Sequence, residues 1–241
     1  MRLPSRFRPP EILRTHAGPV GCVAVPGLGL SVRGWEPALT RLDLPRAAVA
    51  VALPAYGLPA PWGSALDPRA TAERLIRHLD ELEVGRAVLF GHSAACQVVA
   101  EAGRSAPDRV AALVLVGPTG DPVARPWATL VRRWLDNLPG ESPRLVPLLL
   151  RDYTYSGMVS FARAMDAARR HRLDETVAAL RCPLLLVRGA RDHISPPAFL
   201  DRLAACAGHA RVATVPGAAH MAPLTHPREL AAAVRPFVTG R

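Results

Sequence analysis

The sequence predicts an α/β protein, with a mostly parallel β-sheet flanked by helices and a helical insertion late in the chain. Short apolar runs alternate with longer amphipathic segments, which is typical of βαβ units and therefore of parallel strands. Five of the twelve aromatic residues lie between 121 and 180, where no convincing strand is found. A chain of 241 residues fits one such domain, alone or with an inserted subdomain.

Each predicted strand is a short apolar run, and several end in a glycine turn. The strands are predicted over 20–27, 46–57, 86–93, 109–118, 182–192 and 210–217. Residues 1–19 are predicted to add one or two short edge strands. The order of the runs favours one continuous sheet built from both ends of the chain.

The clearest predicted helix covers 67–84. Asp67 is a candidate N-cap, and Pro68 suits the first helical position because its missing N–H is not needed there. The apolar positions recur at helical spacing; they are Ala72, Leu75, Ile76, Leu79 and Leu82. Further helices are predicted over 94–104, about 196–207 and about 221–238.

The segment 121–180 interrupts this rhythm and is predicted to be a mostly helical cap or lid. Residues 1–120 and 181–241 would then form the core on which it sits. Several large side chains of the segment are candidates for the walls of an apolar substrate pocket. They are Trp127, Trp134, Tyr153, Tyr155, Met158 and Phe161, and the alternative is that they only form a small helical core.

The composition argues against several classes of function. The formal net charge is +10, but all 30 strong cations are arginine, spread through the chain without basic runs interleaved with aromatic residues. A nucleic-acid partner is therefore not expected, because single-strand binding sites combine basic residues along the backbone path with aromatic residues on which the bases stack. Hydrophobic residues make up 49% of the chain, enough for a sizeable core.

The sequence favours a cytoplasmic protein without membrane, metal or cofactor. No window approaches the roughly 18 unbroken apolar residues of a membrane helix. The basic start has no apolar stretch after it, so we expect no secretory signal. The four cysteines, Cys22, Cys96, Cys182 and Cys206, show no metal-binding spacing, and free buried thiols are expected.

Ser93 lies in "GHSAA", at the predicted boundary between a strand and a helix. This boundary is where a nucleophile elbow holds its serine, with small residues two positions before and after. Gly91 meets the requirement, and Ala95 is a weaker match than glycine. The alternative is that Ser93 only caps the following helix.

A serine nucleophile requires a base, and that base requires an orienting acid. Asp192 follows the strand predicted over 182–192, and His220 lies past the last predicted strand. The chain order Ser, Asp, His is the order that the elbow architecture uses. Asp121 is a rival acid, although it precedes Pro122 and has a plainer interpretation as the opening of the insertion.

Six ordered motifs together resemble the α/β-hydrolase fold over about residues 20–238. They are "PGLG" (26–29), "LPAYG" (53–57), "GHSAA" (91–95), "PDRVAALVLVGP" (107–118), "GARDHISPP" (189–197) and "GAAHMAPLTHP" (217–227). The resemblance implies a Ser93–His220–Asp192 triad. It also implies an oxyanion hole formed by the backbone N–H groups of Leu28 and Ala94.

Two motifs depart from the pattern of that fold family. Members usually carry His-Gly before the oxyanion residue, where this chain has Pro26 and Gly27, so an imidazole and an N–H are missing. The usual Asp-x-Pro-Gly-x-Gly reads Ala-Leu-Pro-Ala-Tyr-Gly at 52–57. Both changes predict an altered bracing of the oxyanion loop. His92 is expected to have a structural role, and His193 to pack in its loop.

The sequence thus predicts a serine hydrolase that cleaves a small to medium ester, thioester or lactone through an acyl-enzyme. A serine at the elbow argues against the branches of the family that use aspartate there. Cyclisation, acyl transfer and C–C bond cleavage remain open, and the arginine- and alanine-rich composition also fits secondary metabolism. A ligand-binding receptor with a slow or inactive triad is the alternative from another class.

Overall fold

The computed structural model describes residues 11–240, in which seven strands form one sheet with helices on both faces. The sheet order is β1-β3-β2-β6-β7-β8-β9. Only β1 is antiparallel to its neighbour, and the other pairs are parallel. The strands of this sheet are β1 (Ile12–Arg14), β2 (Val20–Val25), β3 (Ala47–Val51), β6 (Ala87–His92), β7 (Val110–Val116), β8 (Leu184–Gly189) and β9 (Ala210–Val215). Two short strands, β4 (Leu53–Pro54) and β5 (Gly57–Leu58), pair with each other. The predicted fold class is confirmed.

Two groups of helices cover opposite faces of the sheet, and a third group, α4 to α6, lies between β7 and β8 in chain order. They are α1 (Glu36–Leu42), α2 (Pro68–Glu81), α3 (Ala95–Ser105), α4 (Trp127–Asn137), α5 (Val146–Ser156), α6 (Met158–Arg170), α7 (Leu173–Ala178), α8 (Pro197–Ala207), α9 (Ala222–Thr225) and α10 (Pro227–Thr239). One core layer packs the sheet against α2, α3, α7 and α8. The other packs it against α1, α9 and α10.

Helix α2 forms where the spacing of apolar residues predicts it. Asp67 caps the helix by accepting a hydrogen bond from the Ala70 N–H at 3.1 Å. The apolar stripe faces the core, since Ala72, Leu75 and Leu79 are buried. The cap and the stripe therefore act together to fix this helix on the sheet.

Helix α1 is a structural element that the sequence reasoning did not predict. It has only seven residues, with Pro37 in its first turn, and it buries Ala38, Leu39 and Leu42. Two turns are too short for a periodic pattern to stand out from the loop around them.

Two predicted elements are interrupted in the structure. The strand predicted over 46–57 ends at Val51 and is followed by the short strands β4 and β5, with a turn at Ala55, which has a left-handed φ of 68°. The helix predicted over 221–238 is two helices, since Pro227 starts α10 and lacks the N–H that would continue α9.

The predicted edge strand is found as β1, while the predictions on residues 1–10 lie outside the described residues. Cys22, Cys96 and Cys182 are buried free thiols, but Cys206 is exposed, so its predicted burial is wrong. Within residues 11–240, no helix is both long and apolar enough to cross a membrane.

Candidate active site

Ser93 occupies a sharp turn between β6 and α3. Its φ is 57°, in the left-handed region that residues with a side chain seldom adopt. Its N–H donates to the Val116 carbonyl at 2.9 Å, which ties the turn to the end of β7. The turn is therefore the strained strand-to-helix connection that a nucleophile elbow requires.

The positions two residues before and after Ser93 differ in the size of side chain that they can accommodate. A Cβ added to Gly91 would lie 2.7 Å from the Cys96 Cα, so no side chain fits there. Ala95 is fully buried among the core residues, and its methyl group is accommodated. The alanine at position 95 is thus compatible with the elbow.

Ser93, His220 and Asp192 form a continuous chain of hydrogen bonds. The Ser93 hydroxyl donates to His220 Nε2 at 2.9 Å. His220 Nδ1 donates to Asp192 Oδ2, also at 2.9 Å. Asp192 and His220 are both buried. The three side chains that the sequence singled out are therefore brought together.

The sheet places these residues because parallel strands end at one edge. Ser93 follows β6, Asp192 follows β8 and His220 follows β9. Gly117, after β7, leaves room between them, since an added Cβ would lie 3.1 Å from the His220 ring and 3.2 Å from Asp192 Oδ2. Gly117 also has a φ of 58°, which favours glycine.

The Asp192 carboxylate is held ionised by its hydrogen bonds. Its Oδ1 accepts from the N–H groups of Ile194 and Ser195, each at 2.9 Å. Burial alone would raise the pKa of Asp192, but His220 and these two N–H groups bring the pKa below its ordinary value. The buried Arg188 supports the same loop by donating to the backbone oxygens of Asp192 and Ser195.

The pKa of His220 is shifted in the opposite direction from that of Asp192. Its burial alone would lower its pKa, but the charge of Asp192 and the hydrogen bond to it, with a further contribution from Glu141, raise the pKa above its ordinary value. The site therefore favours the imidazolium, which is the form that a general base adopts after it takes a proton.

His92 lies between Gly27 and the backbone of His220, and its imidazole stays neutral. Its Nε2 donates to the His220 backbone oxygen at 3.0 Å. A Cβ added to Gly27 would lie 2.8 Å from His92 Nδ1. Burial, with the neighbouring His220, lowers the pKa of His92 to about 3. This imidazole packs against the loop that carries Gly27 and Leu28. His193 is exposed, and its backbone N–H contacts the insertion.

Asp121, the rival acid, is engaged elsewhere. Its Oδ1 accepts from the Val123 N–H at 3.1 Å and so caps the turn that opens the insertion. Its Oδ2 pairs with Arg133 of α4 at 2.7 Å. The geometry favours Asp192 as the partner of His220.

Leu28 and Ala94 stand where the resemblance places an oxyanion hole. Both follow strand ends at the same edge of the sheet, and both are buried. Neither N–H donates a hydrogen bond to any residue within 11–240. Free N–H groups at this position could receive an oxyanion.

The loop that carries Leu28, a candidate oxyanion loop, is braced despite the proline at position 26. Gly29 donates its N–H to the Ala55 oxygen at 2.8 Å, so the altered motif at 52–57 still holds this loop. From α5, Asp152 Oδ2 accepts the Ser31 N–H at 2.8 Å, and Ser156 donates to the Gly29 oxygen at 3.1 Å. Sequence reasoning missed both α5 residues, because a buried polar residue in a helix has no distinctive local pattern.

A narrow cavity lies against Ser93, with room for one or two water molecules at about 30 Å³. Of the six large side chains singled out in the sequence, only Trp134 lines it. Sequence reasoning missed several other lining residues, which are Thr119, Gly120, Leu130, Met165, Arg169 and Ile194.

The other five side chains have different surroundings. Phe161 packs edge-on against Tyr153 and near Trp134, and both Tyr153 and Phe161 crowd Gly29 of the oxyanion loop. Trp127 is 44% exposed and stacks on Arg169, and Met158 is 63% exposed. These two and the half-buried Tyr155 do not line the cavity.

Comparison with known proteins agrees with this architecture. The model of the alpha/beta hydrolase family matches residues 22–233. A hydrolase from Oleispira antarctica superposes with a TM-score of 0.81 at 14% identity, covering 98% of this chain and 97% of its own. A thermophilic esterase from Thermogutta terrifontis gives 0.79 at 21% identity, with 95% and 92% covered. The enol-lactonase from Burkholderia xenovorans LB400 gives 0.76 at 18% identity, with 95% and 96% covered.

One curated relative is similar in sequence. The chain is 29% identical over 255 aligned residues to polyketide synthase ThaQ of Burkholderia thailandensis. The alignment covers 95% of this chain and 12% of that protein. The similarity is therefore to one limited stretch of a much longer relative.

Proposed function

Because the chain belongs to the alpha/beta hydrolase family, we propose that it is a serine hydrolase that acts on a small to medium ester, thioester or lactone. The observation that carries the proposal is the hydrogen-bonded chain from Ser93 through His220 to Asp192, with 2.9 Å at each step. A serine hydroxyl becomes an effective nucleophile when an oriented base can take its proton.

The proposed reaction has two steps. Ser93 Oγ attacks the substrate carbonyl while its proton passes to His220 Nε2, and Asp192 stabilises the resulting imidazolium. The leaving alcohol or thiol takes that proton as its bond to the carbonyl carbon breaks. Water, deprotonated by His220, then attacks the acyl-enzyme, releases the carboxylic acid and restores the Ser93 hydroxyl.

The charge that develops on the carbonyl oxygen would be met by two backbone N–H groups. Those of Leu28 and Ala94 have no other acceptor within residues 11–240. Losing one such donor typically costs about 10²–10³ in rate. Besides substrate and water, the proposed reaction involves side chains and backbone groups of this chain.

The apolar walls of the cavity next to Ser93 support binding of an apolar acyl group there. The space is about 30 Å³, and Leu130, Trp134 and Met165 give it apolar walls. The similarity to a stretch of a polyketide synthase supports a role in secondary metabolism. A small-molecule substrate of a biosynthetic pathway is therefore the proposed partner.

The proposal is tested by labelling with a fluorophosphonate probe and by hydrolysis of nitrophenyl esters of increasing acyl length. We expect the wild type to be labelled promptly and to turn over the ester, and Ser93→Ala to do neither. Ser105→Ala, which removes an exposed serine at the end of α3, is the control and should behave like the wild type. Failure of the wild type to be labelled would reject the serine hydrolase. Ligand binding without turnover would favour the receptor alternative, and product analysis separates hydrolysis from acyl transfer or cyclisation.

A further inference from the structure

Two polar side chains of the insertion join the loop of Asp192 to the loop of His220. Asn137, the last residue of α4, is buried, and its Oδ1 accepts the His193 N–H at 3.2 Å. Glu141 Oε1 accepts the Met221 N–H at 2.9 Å. Asn137 Nδ2 donates to the same Oε1 at 2.9 Å. The two residues thus form a continuous connection, here called the Asn137–Glu141 bridge.

The bridge is closely packed against the loop that carries His220. A Cβ added to Gly140, between its two members, would lie 3.0 Å from the Ala219 Cβ. Glu141 contacts the residue directly after His220, and Asn137 contacts the residue directly after Asp192. A displacement of the bridge would therefore be felt by both members of the histidine–carboxylate pair.

Glu141 also has a feature that a purely structural tie does not need. Its second oxygen, Oε2, is buried and has no hydrogen-bond partner among the described residues. A buried carboxylate oxygen without a partner is costly, so it calls for an explanation in function. A negative charge next to His220 supplies one, because it favours the protonated ring.

We propose that Glu141, held by Asn137, is a positioning residue of the active site. It fixes the His220 loop relative to the Asp192 loop, and its charge stabilises the imidazolium that forms when His220 accepts the Ser93 proton. This inference rests on the proposed function, because only a catalytic His220 needs to alternate between its two charge states.

Two other titratable groups lie beside this ring. Asp192 lies on the β8 side, and the neutral His92 lies on the β6 side. Burial lowers the pKa of His220, whereas the charges of Asp192 and Glu141 raise it. Tyr153 of α5 stays protonated, since burial and the charges of Asp152 and Glu141 raise its pKa to about 12.

Three variants separate the charge of Glu141 from its hydrogen bonds. Glu141→Gln keeps the shape and an acceptor for the Met221 N–H but removes the charge. Glu141→Ala removes both, and leaves the Met221 N–H without its acceptor. Asp136→Asn is the matched control, because it removes an exposed carboxylate from the neighbouring turn of the same segment.

In Glu141→Gln, we expect kcat for a nitrophenyl ester to fall about threefold to tenfold with KM little changed. The acidic limb of its pH profile should move to lower pH, because His220 loses a charge that favours its protonation. In Glu141→Ala, we expect kcat to fall by about a further tenfold, because the Asp192 loop and the His220 loop are no longer held in place relative to each other. Asp136→Asn should match the wild type in kcat and in pH profile.

The decisive measurement is the titration of the His220 ring by NMR, which requires no turnover. Glu141→Gln should remain folded, so the titration can be carried out on this variant. A lower His220 pKa in Glu141→Gln than in Asp136→Asn supports the inference. The same pKa in wild type, Glu141→Gln and Asp136→Asn overturns it, while probe labelling of Ser93 in those proteins would leave the serine hydrolase standing. A wild type that resists the probe rejects the hydrolase independently of the titration.

Discussion

The Nε2 atom of His220 lies 2.9 Å from the Oγ atom of Ser93, although 127 positions separate the two residues in the chain. They follow β6 and β9, which are not neighbours in the sheet, since β7 and β8 lie between them. The loop after β9 therefore has to reach back across two strand ends. Gly117, at the end of β7, keeps that path open.

Ser93→Ala is expected to abolish ester turnover, because no other hydroxyl within residues 11–240 is hydrogen-bonded to His220. The substitution also removes little packing, so the fold should remain. Steady-state kinetics and circular dichroism check the two expectations. Substantial residual turnover in a folded Ser93→Ala protein would assign the reaction to another group.

The pH dependence of kcat/KM should show an acidic limb that belongs to His220. Asp192 and Glu141 raise the pKa of His220 despite its burial, so activity should begin to fall at a pH above the ordinary value of 6.5 for histidine. Activity falls as the pH is lowered, because the base must be unprotonated to accept the Ser93 proton. A profile that is flat down to about pH 4 would exclude a histidine base.

Asp192→Asn and Asp121→Asn distinguish the two acids that the sequence allowed. The first removes the charge that orients His220, and a loss of about 10⁴ in kcat is expected from comparable triads. The second weakens the ion pair with Arg133 and should lower stability with a much smaller effect on kcat. Parallel kinetics and thermal melts test both, and the opposite ranking of the two kcat values would contradict the assignment.

Asp152→Ala tests whether α5 braces the oxyanion loop. The change leaves the Ser31 N–H without its acceptor, which costs about 1–3 kcal/mol for a buried donor. If the loop that carries Leu28 loses its place, kcat should fall about tenfold or more while KM changes little. Asp136→Ala serves as the exposed control. Equal kcat values for the two variants would show that the oxyanion loop holds its position without α5.

Glu101 is a stability determinant away from the active site. Its buried carboxylate contacts His171, Thr176 and Arg104, which lower its pKa from 4.5 to about 2 although burial opposes this. A lowered carboxylate pKa contributes stability above about pH 4.5, and that contribution is lost as the pH falls toward 2. We expect Glu101→Gln to lose about 3 kcal/mol of unfolding free energy at neutral pH in urea titrations. Glu175→Gln, an exposed control, should remain near the wild type.

The sequence was sufficient where the signal is local and repeated. Apolar runs located the six main strands, and the residues after them, Ser93, Asp192 and His220, meet because parallel strands end at one edge. The two turns of helix α1 give too little periodicity for a prediction, and the single helix predicted over about 221–238 passes through the break at Pro227.

The wall of the cavity could not be predicted from aromatic content. Trp134 lines the cavity, but Trp127 stacks on Arg169 instead, and the remaining space is closed by Leu130 and Met165. Which side of a helix faces Ser93 depends on how α4 and α6 dock, and the composition of a segment carries no such information. The same reason hid Asn137, Glu141 and Asp152, whose partners are backbone groups far away in the chain.

The insertion is tied to the core through the same loops that hold the reactive groups. Asp152 and Ser156 contact Ser31 and Gly29, while the Asn137–Glu141 bridge contacts the backbone next to Asp192 and His220. A movement of this whole segment away from the core would break the contacts that hold the loops of the proposed triad. We therefore expect a substrate to enter through small local breathing of side chains around Trp134, with the helices staying docked throughout the cycle.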